Sequence, residues 1–235
     1  MGIPQDALQE IRLLIFDLDG TLADTQKDLA MSVNAMREDL GLPPLSAETI
    51  STYVGRGVTV LVQKALGNSF TLAEINRAQD FFLKHYRQHM LDHTVVYSGV
   101  LEALEQLRGR QLVVLTNKPV RFSRDMLAGL GIGSYFLRVY GGDSFERKKP
   151  DPAGAFRLME ETGIQARQTL IVGDSDTDVQ TGRNAGAWTC GVTYGYGAPS
   201  LKTFPPDVLL SNLRELPRML EGSGSLPTSP PRGAS

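Results

Sequence analysis

The chain reads as an α/β protein, a Rossmann-like doubly wound parallel sheet core with an inserted all-helical cap domain. Three observations predict this. An apolar run, Ile11–Ile15, closes on Phe16-Asp17-Leu18-Asp19-Gly20-Thr21. The stretch from 24 to 94 carries helical spacing and no strand-like run. From residue 99 onward, short apolar runs alternate with helical patterns, which implies a parallel sheet covered on both faces.

The elements follow in order. Residues 11–17 read as a buried strand. Leu29, Val33, Met36 and Leu40 then fall at helical spacing until Gly41 and Pro43-Pro44 stop the helix. Further helical patterns lie near 46–53, 57–66 and 71–90, the last carrying Ile75, Phe82, Tyr86 and Met90 on one stripe. Helices at 99–108, 119–130, 152–162 and 176–185 alternate with strands at Gln111–Thr116, 136–140, Thr169–Gly173 and Trp188–Val192, and Asp207–Leu210 adds a last strand. The resulting division is a discontinuous core of 1–23 and 96–221, a helical cap of 24–95, and a low-complexity tail of 222–235 expected to be disordered.

Composition excludes several classes. The net charge of −2 carries no nucleic-acid footprint and no polybasic membrane anchor. No apolar run approaches the ~18 residues of a membrane span, and the first residues lack a secretion pattern. Cys190 is the only cysteine, so internal disulfides and thiolate metal sites are impossible and a reducing cytoplasm is the expected compartment. A monomer or homodimer is expected.

Four chemically loaded stretches follow apolar runs: Asp17/Asp19, Thr116-Asn117, Lys148-Lys149-Pro150 and Gly173-Asp174-Ser175-Asp176-Thr177-Asp178. Ligands of open α/β sheets bind beyond the carboxyl ends of the strands, so these groups are expected to converge. In an extended chain Asp17 and Asp19 point to one side, where their repulsion, about 4 kcal/mol at ~4 Å and an effective dielectric near ~20, invites a hard divalent cation such as Mg²⁺. A carboxylate nucleophile, a second carboxyl for proton transfer, a cation and a hydroxyl donor suit phosphoryl transfer.

These motifs, in this order, resemble those of the haloacid dehalogenase-like superfamily of aspartyl-phosphate phosphatases over roughly residues 11–200. The resemblance implies that Asp17 is the nucleophile and a Mg²⁺ ligand. It implies that Asp19 is the general acid/base and binds the metal through its backbone carbonyl. Thr116 and Asn117 would hold the phosphoryl group, with Gly20 beside the substrate. Lys149, directly before the proline, would neutralise the phosphoryl group, with Lys148 a solvated neighbour. Asp174 would be a metal ligand and Asp178 would join it directly or through water, while Asp176 would be an exposed helix-start carboxylate. Dehalogenases of the superfamily lack an acid at the Asp19 position, so its presence favours phosphate chemistry.

Asp17–Thr25, Val114–Pro119, Gly141-Gly142-Asp143 and Tyr194-Gly195-Tyr196-Gly197 resemble the phosphoglycolate phosphatases within the superfamily. The expected partner is a small phosphorylated metabolite, foremost 2-phosphoglycolate. Sugar phosphates, pyrophosphate and a phosphomutase reaction with the same core are the alternatives. Arg56, in Val54-Gly55-Arg56-Gly57, is a candidate for pairing with a substrate carboxylate. A receiver-type signalling module also uses acidic residues, Thr and Lys, but lacks a helical insertion and an acid two residues past the phosphorylated one. His85, His89 and His93 recur on one helical face beside an apolar stripe and read as structural, as do Trp188 and Cys190.

Overall fold

A computed structural model describes residues 2–222, so all of the tail but Gly222 lies outside the described residues. The chain runs α1 (Gln5–Glu10), β1 (Leu13–Phe16), β2 (Ala23–Asp24), α2 (Gln26–Asp39), α3 (Ala47–Ser51), α4 (Val58–Leu66), α5 (Leu72–His89) and β3 (Val95–Val96). It continues α6 (Val100–Gln106), β4 (Gln111–Leu115), α7 (Val120–Gly129), β5 (Arg138–Tyr140), α8 (Ala153–Thr162) and β6 (Thr169–Gly173). The last elements are α9 (Asp176–Ala185), β7 (Trp188–Val192), β8 (Val208–Leu210) and α10 (Glu215–Glu221).

Six strands form one parallel sheet in the order β5-β4-β1-β6-β7-β8. The central strand is apolar at every position because both of its faces are covered. Leu14, Phe16, Val114 and Val172 pack into one core, while Leu13, Ile15, Val113 and Ile171 pack into another on the opposite face. Register fixes the site. Phe16 is level with Val114 on one side and Val172 on the other, so Asp17, Thr116 and Asp174 emerge side by side at one edge. The Asp17 N–H still donates to the Val172 carbonyl at 2.9 Å, which anchors that residue at the strand tip.

The helices α2–α5 leave and rejoin the sheet through the antiparallel β2–β3 ribbon, which brings both connections to one place. Asp28, in the first turn of α2, reinforces the junction: its Oδ2 accepts from the His93 and Thr94 N–H groups and from the Thr94 hydroxyl. Leu29, Val33, Met36, Val62, Phe82 and Tyr86 belong to the same apolar cluster as the sheet. The histidine stripe is engaged locally, His85 with Ser32 at 3.0 Å and His89 with Asp92 at 2.8 Å. No helix among the described residues is long and apolar enough to cross a membrane.

The differences from the sequence reading are small elements. The ribbon strands have two residues each, too few for any alternation to register. Helices α1 and α10 have six and seven residues, below the length at which helical periodicity is distinctive.

Leu14 is fully buried in the middle strand. Truncation by Leu14→Ala is expected to cost about 2–5 kcal/mol, seen as a lower midpoint in urea unfolding with an unchanged slope.

Candidate active site

The residues that follow β1 and β6 meet Asp178 of α9 in one buried cluster. Carboxylate oxygens of Asp17, Asp174 and Asp178 lie within 4.8 Å of one another, and all three residues are buried. Lys149, on the loop between β5 and α8, reaches among them. Its Nζ donates to Asp178 Oδ1 at 2.6 Å and lies 3.1 Å from Asp17 Oδ1. That second approach is close enough for an ion pair but is not aligned for a hydrogen bond, so Asp17 Oδ1 is a buried oxygen with no hydrogen-bond partner.

Each acid is held differently. Asp178 sits in the first turn of α9, where its Oδ2 caps that helix by accepting from the Ser175 N–H at 3.2 Å and hydroxyl at 2.7 Å. Asp174 Oδ2 accepts the Gly197 N–H at 2.7 Å. Gly20 has a left-handed φ of 82°, and a Cβ there would lie 2.2 Å from Asp174 Oδ2, so only glycine lets the chain pass this carboxylate.

Charge crowding shows in the acidities. Burial, with the Asp178 and Asp19 charges adding to it and Lys149 opposing, raises Asp17 to about 6. Burial and the two neighbouring carboxylates raise Asp174 well above the usual range. Burial disfavours the charged Lys149 ammonium, but Asp17 and Asp178 outweigh it and the net push is upward. One lysine therefore leaves three buried carboxylates under-compensated. An orphaned oxygen on Asp17, an oxygen-only donor set and a spacing suited to shared coordination fit a divalent cation.

Asp19 lies past the end of β1, after a bend at Leu18, so the same-side argument from an extended chain does not apply. Its carboxylate belongs to a second network. Oδ1 accepts from Lys118 Nζ at 2.9 Å and from the Thr25 hydroxyl at 2.8 Å, and Oδ2 lies 3.2 Å from the same ammonium. Thr25 also meets the Tyr196 hydroxyl at 3.0 Å. Lys118 Nζ also donates to the Tyr86 hydroxyl of α5 at 2.8 Å, so one ammonium joins the proton-transfer candidate to the helical block. The repulsion expected between Asp17 and Asp19 is thus met by two separate lysines. Lys118, Thr25 and Tyr86 were not singled out by the sequence. Lys118 lies in the Thr116-Asn117-Lys118 stretch, two residues beyond Thr116, and that proximity was the available signal.

Thr116 is buried at the tip of β4 and lines the pocket with Asp17 and Asp19. The Asn117 side chain is a bridge: Nδ2 donates to the Gly55 carbonyl at 2.8 Å and the Lys149 carbonyl at 3.0 Å, while Oδ1 accepts the Lys149 N–H at 2.9 Å. Arg56 stands at the rim, its side chain 63% exposed and 3.5 Å from Asp176. It is absent from the pocket lining, and its ion-pair partner is Asp176. Its neighbours Gly55 and Gly57 do line the pocket.

The acidity of the cluster has a signed consequence. An acid raised in the folded state binds more protons there than when unfolded, so its contribution to stability falls as pH rises from about 4 through about 6. Metal-free protein is expected to melt lower at pH 7 than at pH 5 on this account. MgCl2 should raise Tm, and by more at pH 7 than at pH 5, because the cation competes with those protons; differential scanning calorimetry checks both signs.

The comparisons with known proteins agree with this geometry. The family model for haloacid dehalogenase-like hydrolases matches residues 14–192. The phosphoglycolate phosphatase of Chromobacterium violaceum is 40% identical over 216 residues, covering 89% of this chain and 96% of its own. That of Vibrio parahaemolyticus is 41% identical over 220 residues, covering 88% and 95%. The crystal structure of a predicted phosphoglycolate phosphatase from Haemophilus somnus superposes with a TM-score of 0.84 at 32% identity, covering 92% of this chain and 99% of that one. A family model that matches most of the chain, and relatives about 40% identical over nearly nine-tenths of it, make the chain a member of the haloacid dehalogenase-like hydrolase family.

Proposed function

We propose that the protein is a Mg²⁺-dependent phosphatase of a small phosphorylated metabolite, 2-phosphoglycolate, acting through an aspartyl-phosphate on Asp17. The observation that carries it is Asp17 itself: a buried carboxylate with a hydrogen-bond-free oxygen, at a strand tip, between an ammonium and two further acids. The curated relatives named above supply the substrate.

In this reading Asp17 attacks phosphorus and the ester oxygen departs with a proton from Asp19. Water then attacks the phosphoryl group while Asp19 takes its proton, releasing inorganic phosphate and restoring Asp17. Thr116 donates its hydroxyl to a phosphoryl oxygen, and Lys149 neutralises another. Asn117 fixes the lysine loop through two backbone bonds to Lys149. Asp17, Asp174 and the Asp19 carbonyl would hold the cation, with Asp178 in support through its bond to Lys149. Bound Mg²⁺ would shield the anionic phosphate from the anionic nucleophile. The helical block, residues 24–95, acts as the cap that excludes bulk water from these steps. The chain works in the cytoplasm, a placement supported by its lone, buried Cys190.

Phosphate release from 2-phosphoglycolate with MgCl2 should be robust, and EDTA should abolish it. Asp17→Asn is expected to lower kcat by roughly 10⁴-fold or more. Asp19→Asn should cost roughly 10²- to 10⁴-fold on an alkyl phosphate and much less on p-nitrophenyl phosphate, whose leaving group needs little protonation. Undiminished turnover in Asp17→Asn would rule out the covalent route.

A further inference from the structure

The pocket has two unlike ends. At the sheet edge Asp17, Asp19 and Thr116 face it. Toward the helical block it is closed by apolar side chains, among them Leu29, Val58, Leu61 and Phe82, with Phe122 of α7 beside them. A phosphoryl group seated against Asp17 leaves the alcohol half of the substrate in the apolar end. Within the pocket lining that end offers one cation, Lys118, and one hydroxyl, that of Tyr86. Lys149 pairs with Asp17 and Asp178 at the phosphoryl end, and Arg56 stands outside on the rim.

Lys118 is buried, and its three N–H donors are directed at Asp19 and Tyr86. An ester oxygen within hydrogen-bonding reach of Asp19 lies within a few Å of the same ammonium, since Lys118 Nζ is 2.9 Å from Asp19 Oδ1. An anion one carbon away from that oxygen falls inside the reach of Lys118. A longer alcohol would carry its anion past the ammonium into the apolar wall, where an unpaired charge is strongly disfavoured.

We propose that Lys118 determines specificity by reading a carboxylate on the alcohol half of the substrate. It turns part of its donor set from Asp19 and Tyr86 onto that carboxylate, and the Tyr86 hydroxyl supplies a second hydrogen bond. The selected class is short phosphomonoesters with a carboxylate one carbon from the ester oxygen. This deepens the function proposed above and rests on that reading of the site.

Binding tests it without turnover. Asp17→Asn protein with MgCl2 is titrated calorimetrically with 2-phosphoglycolate and with ethyl phosphate, a neutral-ended analogue of the same length. The expected result is a roughly 10- to 100-fold tighter Kd for 2-phosphoglycolate. Asp17→Asn/Lys118→Met should bring the two ligands together by weakening 2-phosphoglycolate far more than ethyl phosphate, and Asp17→Asn/Lys118→Arg should keep part of the preference. In otherwise native protein, Lys118→Met should lower kcat for both esters, because Asp19 loses its ion-pair partner, and should raise KM for 2-phosphoglycolate well beyond that for ethyl phosphate. Absence of a preference overturns the proposal, as does a preference that survives Lys118→Met, or loss of both ligands to the same extent. Failure of the phosphatase reading shows separately, as no phosphate release from either ester by the unaltered protein.

Discussion

Placing three carboxylates within 4.8 Å of one another, under cover, is the arrangement on which the rest of the site depends. At that spacing each like-charged pair repels by about 3–4 kcal/mol even at an effective dielectric near ~20. A buried ammonium 2.6 Å from one acid and 3.1 Å from another recovers part of this, and the raised pKa values of Asp17 and Asp174 mark what is left. The sheet makes the crowding possible. Strand register brings the tips of β1 and β6 level, which holds Asp17 and Asp174 together, and the capping bonds of α9 hold Asp178. A surface cluster would relax by rotating outward, but these acids are held in place and must be compensated.

Compensation is divided between two lysines with different surroundings. Lys149 is locked beside Asp17 by Asp178, which is itself fixed as the cap of α9, and by the Asn117 bridge to its backbone. Lys118 is shared across a boundary, with Asp19 on the core side and Tyr86 on the helical block. A chain of hydrogen bonds therefore runs from Tyr196 through Thr25, Asp19 and Lys118 to Tyr86. Movement of α5 against the sheet would change what Asp19 touches, whereas the Asp17–Lys149–Asp178 group lies within the sheet edge and would not follow.

The legible parts of the chain were those whose signal is local and repeated. Buried parallel strands are unbroken apolar runs, so β1, β4, β6 and β7 stood out, and the stripe Leu29, Val33, Met36 marked α2. A charged or hydroxyl residue directly after such a run lies at a strand tip, which is why Asp17, Thr116 and Asp174 could be read as neighbours although they are far apart along the chain. Side-chain partnership across elements carries no such periodicity. The Lys118–Tyr86 bond spans 32 positions and depends on how α5 crosses the sheet edge, and the sequence does not state that crossing. The bridging use of Asn117 was hidden for the same reason.

Arg56 lies on a loop whose glycines line the pocket, while its own side chain stands at the rim. Gly55 and Gly57 take left-handed φ values of 97° and 89°, so the chain bends sharply on both sides of the arginine. The bend presents backbone to the site: the Gly55 carbonyl accepts from Asn117, and a Cβ on Gly57 would come within 2.9 Å of Lys148 Nζ. With its flanking residues turned inward, Arg56 projects to the rim and meets Asp176 there, as an exposed pair worth at most about 1 kcal/mol. Glycine suits both positions because each takes a left-handed backbone that other residues rarely adopt, and at Gly57 a Cβ would also crowd the Lys148 ammonium. Substrate charge must then be met by a residue rooted in the core, and Lys118, two positions beyond the tip of β4, is the one the pocket lining supplies.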